Sequence, residues 1–205
     1  MNVLVTGGAG FIGSHLVESR LEMGDRVTVL DNLSTGSWHD DRSRFVYGSV
    51  VDSGELHRLI EEADLVFHLA AAVGARLVTL MPLESLRTNV AGTDRVLQLC
   101  AQYHKRVLFA SSSEVYGKQT ADRATEEDDV IYGPSSRTRW GYAASKLIDE
   151  FLALAHAQDS GLEFVGLRLF NTSGPRQTGR YGMVLPNFAN QALRGWPLTV
   201  HGDGY

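Results

Sequence analysis

Residues 2–15 read Asn2-Val3-Leu4-Val5-Thr6-Gly7-Gly8-Ala9-Gly10-Phe11-Ile12-Gly13-Ser14-His15. An apolar strand leads there into a glycine-rich turn and then into an amphipathic helix, which is the context of a dinucleotide-binding fingerprint. In such a turn Gly7 permits the tight bend, Gly10 lets the backbone approach a pyrophosphate, and Gly13 lets the helix pack on the strand. The helix N-terminus offers N–H groups and a positive dipole to that pyrophosphate. The alternative is a glycine-rich turn without a ligand.

The rest of the chain alternates apolar, β-rich segments with helical patterns. Strands are predicted near 2–6, 26–31, 44–48, 64–69, 106–111 and 162–169, and helices near 11–23, 53–62, 83–104, 142–158 and 184–194. Several strands are continuous apolar runs, which is typical of strands buried on both faces. The sequence therefore predicts an α/β fold with a doubly wound parallel sheet, the Rossmann fold, whose ligands bind outside the carboxyl ends of the strands. Residues 117–141 are predicted to form a loop over that edge.

The second predicted strand ends in an acid, Asp31. An acid at this distance from the glycine turn typically hydrogen-bonds the ribose hydroxyls of a dinucleotide. Because a carboxylate would repel a 2′-phosphate, NAD is favoured over NADP. Alternatively, Asp31 caps the turn formed by residues 32–34.

The amino-acid composition limits which kinds of molecule the protein is expected to bind. The 205-residue chain has a formal net charge of −5 and one cysteine, Cys100. Without a basic excess to neutralise phosphates, neither nucleic acid nor an anionic membrane is expected as the main partner. We expect no membrane span, no signal peptide before the first strand and no metal site. The lone cysteine favours a reducing, cytoplasmic location, and its apolar neighbours favour a packing role over a nucleophilic one.

A tyrosine and a lysine, Tyr142 and Lys146, stand four residues apart on a predicted helix, so both side chains lie on one face. An unperturbed tyrosine has a pKa of about 10, too high for a base at neutral pH. A nearby ammonium and a positive nicotinamide ring would favour the phenolate and lower that pKa. Tyr142 could then remove a hydroxyl proton while hydride passes to NAD, and Lys146 could bind the nicotinamide ribose. A chance tyrosine–lysine spacing is the alternative.

Serines end the fifth predicted strand, at Ser111, Ser112 and Ser113. Because strand ends at this edge face the ligand crevice, a hydroxyl there can bond the reacting oxygen and share its proton with Tyr142. The alternative role for these serines is turn formation.

Seven motifs, taken together, resemble one known family. In chain order they are TGGAGFIGSHL, VLDNLSTG, VFHLAA, NVAGT, SSSEVYG, YAASK and RLFNTSGPRQTGRYG. They resemble the extended short-chain dehydrogenases/reductases that modify nucleotide sugars, and the resemblance covers the whole chain. It implies NAD as cofactor, Ser112 as the catalytic serine with Ser113 as the fallback, and Tyr142 and Lys146 as the catalytic pair. It also implies further cofactor contacts at Phe11, Ile12, Asn32, Ser49 (where the family often has aspartate), Val50, Leu69, Ala70, Ala71 and Asn89.

Glu114 separates the activities within this family. The family's 4,6-dehydratases share an Asp-Glu pair, whereas Ser113 precedes Glu114 in this sequence. The simple 4-epimerases usually have a neutral residue at the position of Glu114. The Ser-Glu pair resembles the nucleotide-glucuronate decarboxylases, in which oxidation at C4 gives a β-keto acid that loses CO2 before the ketone is reduced. The resemblance therefore favours decarboxylation over C4 epimerisation. A structural acid bonded to the backbone is the alternative for Glu114.

The last part of the chain resembles the start of the family's substrate domain. We therefore predict an NAD-binding domain at 1–167 and a truncated substrate-binding domain at 168–205. Asn171 resembles the family's diphosphate ligand. Arg176 and Arg180 are candidate diphosphate or carboxylate ligands, since guanidinium binds anions in a bidentate manner, and surface arginines are the alternative.

The partners implied by the resemblance are a nucleotide sugar and a second copy of the chain. Val200 lies in the segment expected to contact the nucleotide base, and His201 stands where an aromatic residue is common, so UDP-linked and dTDP-linked sugars both stay open. Helices 83–104 and 142–158 would form a homodimer. From another class of function, a non-catalytic NAD-binding module is the alternative.

Overall fold

The computed structural model describes residues 1–119, 123–200 and 202. Its strands are β1 (Asn2–Thr6), β2 (Arg26–Asp31), β3 (Arg44–Tyr47), β4 (Leu65–His68), β5 (Arg106–Ser112) and β6 (Phe164–Leu169). They form one sheet in the order β3-β2-β1-β4-β5-β6, with every neighbouring pair parallel. The strand order reverses between β1 and β4, which makes the crevice at their carboxyl ends the expected ligand site.

In the described ranges an α-helix follows every strand except β2, and three of the helices follow β4. The α-helices are α1 (Phe11–Glu22), α2 (Ser53–Glu62), α3 (Ala75–Leu80), α4 (Pro82–Leu86), α5 (Gly92–Gln102), α6 (Arg139–Ser160) and α7 (Val184–Leu193). None of them is both long and apolar enough to cross a membrane.

The central strand β1 is buried on both faces, as its continuous apolar run predicted. Val3 and Val5 pack with Val17 of α1, whereas Leu4 packs on the opposite face with a cluster that includes Ile60 of α2. Because successive side chains of a strand point to opposite faces, each of the two helical layers contacts a different set of β1 residues. The doubly wound α/β fold is thereby confirmed.

The predicted long helix at 83–104 is the main difference from expectation. It is divided into α4, a π-helical turn at Arg87–Ala91, and α5. Pro82 is tolerated as the first residue of α4, because a first-turn residue has no N–H bond to lose. Asn89 lies within the π-helical turn, and its side chain forms a hydrogen bond with the backbone of Ala72. Such turns often occur at functional sites.

The other predicted helices and strands have the expected positions, with small changes at their ends. The helix predicted at 142–158 is longer, because α6 begins at Arg139 and ends where Gly161 takes a left-handed conformation with φ +68°. One further helix, α3, was not predicted. Residues 117–119 and 123–138 are largely irregular, with one bridge between Gly117 and Ile131, as expected for the predicted loop.

Candidate active site

The glycine turn between β1 and α1 has no room for side chains at two positions. A Cβ atom on Gly13 would lie 2.2 Å from the carbonyl oxygen of Gly7. A Cβ atom on Gly7, whose φ is +73°, would lie 2.6 Å from the backbone nitrogen of Ala70. Gly10 is the N-cap of α1 and has no side chain to cover the helix end. The first N–H groups of α1, which begins at Phe11, therefore remain for a ligand.

Asp31 lies at the carboxyl end of β2 and ties two turns together. Its Oδ2 accepts a hydrogen bond from the Ala9 N–H at 3.0 Å, and its Oδ1 accepts one from the Leu33 N–H at 2.8 Å. Burial raises the pKa of the Asp31 carboxyl, and these two backbone bonds oppose the increase. The capping role is thus observed. Each oxygen keeps a lone pair, so the predicted ribose contact is compatible with it. Asn32 is exposed and caps the Ser34 N–H at 3.1 Å.

The segment after β4, which contains Leu69, Ala70 and Ala71, forms the facing wall of the crevice. The Leu69 N–H donates to the Thr6 carbonyl at 3.0 Å, and the Ala70 N–H donates to Thr6 Oγ1 at 3.3 Å. Asn89 is buried behind this wall, where its Oδ1 accepts from the Ala72 N–H at 2.7 Å. The Asn89 side chain thus holds the backbone at Ala72, and its role near the nicotinamide stays a prediction.

Ser49 and Val50 follow β3 at the same edge. The Val50 side chain is buried in the core, and a Cβ on Gly92 would lie 2.7 Å from its Cγ2 methyl group. The Ser49 carbonyl accepts from the Asp52 N–H at 3.0 Å. The Val50 side chain therefore belongs to the core, and its contact with an adenine ring stays a prediction.

The ends of β5 and α6 bring Ser112 and Tyr142 together. Ser112 is buried, and its Oγ accepts a hydrogen bond from the Glu114 N–H at 3.2 Å. The Ser112 hydroxyl is also close enough to Tyr142 to lower the pKa of the phenol by hydrogen bonding. The structure thus places these two predicted residues side by side, and Ser113 beside them at the start of a 3₁₀ turn, Ser113–Tyr116.

The pKa of Tyr142 is nevertheless raised. Burial is the main cause, and the charges of Glu114 and Asp149 add to it against the bond to Ser112. The expected activator, Lys146, is paired with Asp149 instead: Nζ and Oδ2 are 3.1 Å apart, and both side chains are buried. The lowered Tyr142 pKa expected from Lys146 is not found in this structure, because burial and the charges of Glu114 and Asp149 raise it, and the part expected from a nicotinamide ring stays a prediction.

Glu114 lies on the same side of the site as Tyr142. Its side chain is exposed, and its charge acts on the Tyr142 phenol. Within the described residues the Glu114 carboxylate makes no hydrogen bond, so the alternative of a structural acid bonded to the backbone is not observed.

A buried chain of polar side chains was missed from the sequence. Thr6 Oγ1 lies 2.7 Å from His68 Nδ1, and His68 Nε2 lies 3.0 Å from Thr93 Oγ1. Burial and the charge of Lys146 lower the pKa of His68 to about 3, so the imidazole is neutral. His68 and Thr93 stand within the VFHLAA and NVAGT motifs, but their spacing along the chain gives no sign that they meet. Asp149 was also missed, because its burial depends on how α5 and β4 pack on α6.

The loop before α6 is anchored by a second tyrosine that sequence analysis did not single out. The Tyr132 hydroxyl lies 3.1 Å from the Val115 carbonyl and 3.2 Å from the Ala143 carbonyl. Burial raises the pKa of Tyr132 to about 12, so the phenol stays a donor. Tyr132 thereby ties the 3₁₀ turn that carries Glu114 to the helix that carries Tyr142.

The predicted substrate-binding residues after β6 do not form a common site in the described part of the chain. Arg176 donates to Glu18 of α1 at 2.9 Å and lies over the Trp38 ring, which favours the surface alternative for this residue. Arg180 lies 5.3 Å from the centre of the Tyr181 ring. Asn171 and Val200 are exposed. His201 lies outside the described residues.

The residues of the crevice fit NAD. The turn has no room for a side chain at Gly7 or Gly13, no side chain in the described residues caps the N–H groups at the start of α1, and Asp31 stands at the end of β2. In the described parts of the chain, no group of three or more His, Cys, Asp or Glu side chains could hold a metal. Fold and site together define a Rossmann protein with a serine–tyrosine–lysine constellation at its dinucleotide crevice.

Comparison with known proteins specifies the family. Residues 3–205 match the NAD dependent epimerase/dehydratase family, so the chain belongs to that family. It is 42% identical to the UDP-N-acetyl-alpha-D-glucosaminuronate decarboxylase of Bacillus cytotoxicus, over 98% of this chain and 64% of that protein. It is 34% identical to UDP-glucuronic acid decarboxylase 1 of Arabidopsis thaliana, over 100% of this chain and 47% of that protein. Among solved structures, the UDP-glucose 4-epimerase of Thermus thermophilus in complex with NAD is 36% identical with a TM-score of 0.87, over 98% of this chain and 65% of that one.

The comparisons support NAD as the cofactor and show how much of the relatives' length this chain covers. The family description and the NAD-bound neighbour agree with the NAD expected from Asp31 and the glycine turn. The chain spans about half to two thirds of the length of the relatives named above.

Proposed function

We propose that this protein is an NAD-dependent enzyme that oxidises a nucleotide-linked hexuronate at C4 and then decarboxylates it. The observation that carries the proposal is the position of Glu114 and Ser112 beside Tyr142, at the edge of the sheet where the glycine turn lies. Two relatives named as decarboxylases of UDP-linked uronates support this reaction and favour UDP over dTDP as the nucleotide.

The cofactor-binding residues have separate tasks in this proposal. When bound, NAD supplies a reversible hydride acceptor. The N–H groups at Phe11 and Ile12 hold its pyrophosphate, Asp31 accepts hydrogen bonds from ribose hydroxyls, and Asn89 keeps the facing wall in place.

Proton transfer is assigned to Tyr142 and Ser112. Tyr142 removes the proton of the C4 hydroxyl as a general base, while Ser112 donates a hydrogen bond to the same oxygen. General-base catalysis of this kind contributes roughly 10²–10⁴ in rate. Lys146 follows Tyr142 by one helical turn on α6, and its buried ammonium, which Asp149 offsets in part, supplies a positive charge that favours the phenolate.

Glu114 is assigned to the decarboxylation step, which follows the oxidation at C4. A ketone at C4 turns the C6 carboxylate into a β-keto acid, so the bond between C5 and C6 breaks, CO2 leaves, and its electron pair forms an enolate. Glu114 is exposed beside Tyr142 and its carboxylate forms no hydrogen bond in the described residues, so it can pass a proton from water to C5. The hydride removed from C4 then returns to the C4 ketone, so that the net change in the sugar is the loss of CO2.

The test is an incubation of the protein with NAD and UDP-glucuronate, followed by mass analysis of the nucleotide sugar. Loss of the mass of CO2, absent in Tyr142→Phe, supports the proposal. UDP-N-acetylglucosaminuronate and dTDP-glucuronate, run in parallel, identify the sugar and the base. Loss of turnover in Glu114→Gln with unchanged NAD affinity would support the assigned proton transfer.

C4 epimerisation is the second candidate, because the NAD-bound neighbour is named as a 4-epimerase and both reactions begin with the same oxidation. An unchanged mass with an inverted C4 would establish it. NAD binding without any conversion of these sugars would instead favour a non-catalytic NAD-binding module.

We also propose that the protein acts as a homodimer in the cytoplasm. Three apolar side chains at helical spacing on α6, Ile148, Phe151 and Leu154, are exposed and form a stripe that a second copy could cover. The cytoplasmic location is supported by the single cysteine, which is buried and unpaired.

A further inference from the structure

The buried ion pair between Lys146 and Asp149 is the feature of the site that the proposed function does not explain. The two residues are three positions apart on α6, with Nζ 3.1 Å from Oδ2, and their side chains are 3% and 0% exposed. Burying two charges is costly, and a well-packed apolar pair of similar volume is often as stable or more so. Packing alone therefore gives no reason for this pair.

Asp149 also connects Lys146 to the chain of buried side chains that starts at the glycine turn. Burial raises the pKa of the Asp149 carboxyl, and the nearby Lys146 ammonium and Thr93 hydroxyl oppose the increase. Thr93 Oγ1 lies 3.0 Å from His68 Nε2. His68 Nδ1 in turn lies 2.7 Å from Thr6 Oγ1. The Lys146 ammonium is thus held at one end of a path that spans α6, α5, β4 and β1.

Polar groups from three elements act on the Tyr142 phenol. Glu114 of the 3₁₀ turn and Asp149 of α6 both disfavour the phenolate, and Ser112 of β5 favours it. His68 of β4 faces Lys146 and stays neutral. Glu150, the other carboxylate next to Asp149, is bound by Arg168 of β6 at 2.7 Å. Asp149 is therefore the carboxylate placed to offset Lys146.

We propose that Asp149 is a positioning residue, which holds the Lys146 ammonium at the end of the Thr6–His68–Thr93 chain and sets the pH range in which Tyr142 acts as a base. The proposal rests on the base role of Tyr142 in the proposed function. Because the Asp149 side chain is 0% exposed, we assign it an indirect role, in which its charge disfavours the Tyr142 phenolate and offsets the Lys146 ammonium. An uncharged residue in its place leaves the Lys146 charge uncompensated, and this favours the Tyr142 phenolate.

The variant that tests this is Asp149→Asn, which keeps an oxygen for Lys146 but removes the charge. The ionisation of Tyr142 is followed by the near-ultraviolet absorbance of its phenolate with NAD bound, and the signal of the other tyrosines is removed by subtracting the titration of a matched Tyr142→Phe protein. We expect Tyr142 to ionise about one pH unit lower in Asp149→Asn than in the unmodified protein. The control Asp159→Asn removes a carboxylate from the exposed end of the same helix and should leave the titration unchanged.

The same shift should appear in turnover. The acid limb of the kcat profile should move to lower pH in Asp149→Asn, with little change in KM, because the substrate contacts are unaltered. Equal Tyr142 titrations in the folded Asp149→Asn and unmodified proteins would overturn the proposal. If Asp149→Asn does not fold, Asp149→Ser, which also presents an uncharged oxygen to Lys146, is judged by the same criterion.

The titration needs no turnover, which separates this proposal from the proposed function. A shifted titration without conversion of any uronate would leave the role of Asp149 supported and the proposed reaction wrong. Decarboxylation with an unshifted titration would support the proposed reaction and overturn the role of Asp149.

Discussion

The backbone of Gly13 lies so close to the carbonyl oxygen of Gly7 that a Cβ atom on Gly13 would stand 2.2 Å from it. The two glycines therefore hold the first turn of α1 against the end of β1, and the N–H groups proposed to bind the pyrophosphate take their positions from this contact.

Gly13→Ala is expected to weaken NAD binding at least tenfold, which corresponds to about 1.4 kcal/mol. The added methyl group must push the helix away from Gly7 and so misplace the N–H groups. Isothermal titration with NAD measures the effect. Gly54→Ala is the matched control, because a Cβ on Gly54, in α2, meets nothing within 4 Å. Wild-type affinity in Gly13→Ala would show that the tight contact is not needed for binding.

The stability of the protein should depend on His68 under mildly acidic conditions. The pKa of His68 is lowered to about 3 in the folded chain, against about 6.5 in the unfolded chain. Between these values the unfolded chain binds the proton and the folded chain does not. The contribution is complete above about pH 6.5 and is lost as pH falls toward 3, at about 1.4 kcal/mol per pH unit.

Urea unfolding of the unmodified protein and of His68→Gln at a series of pH values measures this dependence. The free energy of unfolding should fall less steeply with decreasing pH in His68→Gln. His39→Gln, which removes an exposed histidine, should keep the slope of the unmodified protein. The same slope in all three proteins would contradict the expected linkage.

Cys100 should be unreactive while the protein is folded. It is fully buried, and burial raises the pKa of its thiol to about 12, so almost no thiolate forms at neutral pH. Colorimetric thiol titration should detect no reactive thiol in native buffer and one after unfolding. Rapid labelling of the native protein would instead support the nucleophile alternative considered from the sequence.

A charge at the centre of the exposed apolar stripe on α6 (Ile148, Phe151 and Leu154) should weaken self-association. Phe151→Lys should weaken self-association at least tenfold, because the interface would have to bury an unpaired ammonium. Sedimentation at several protein concentrations measures the dissociation constant. Met23→Lys, at an exposed apolar residue just after α1, should associate like the unmodified protein. A monomeric unmodified protein would show that the stripe has another role.

Local patterns in the sequence were enough to predict the fold and much of the site. The glycine turn could be recognised because glycine is required at fixed positions along a short segment. The close contact of Gly13 with Gly7 confirms that requirement. Tyr142 and Lys146 could be placed on one helical face because helical periodicity depends on sequence separation alone. Continuous apolar runs likewise identified β1 as a strand buried on both faces.

The environment of these residues depended on the tertiary structure. Asp149 is on the same helix as Lys146, but its burial and the bonds of Thr93 and His68 come from the packing of α5 and β4 on α6. The direction of the Tyr142 pKa follows from that packing, since burial and charges from several elements determine it together. Sequence spacing specifies which residues share a face, whereas the free energy of a charge depends on everything that surrounds it in space.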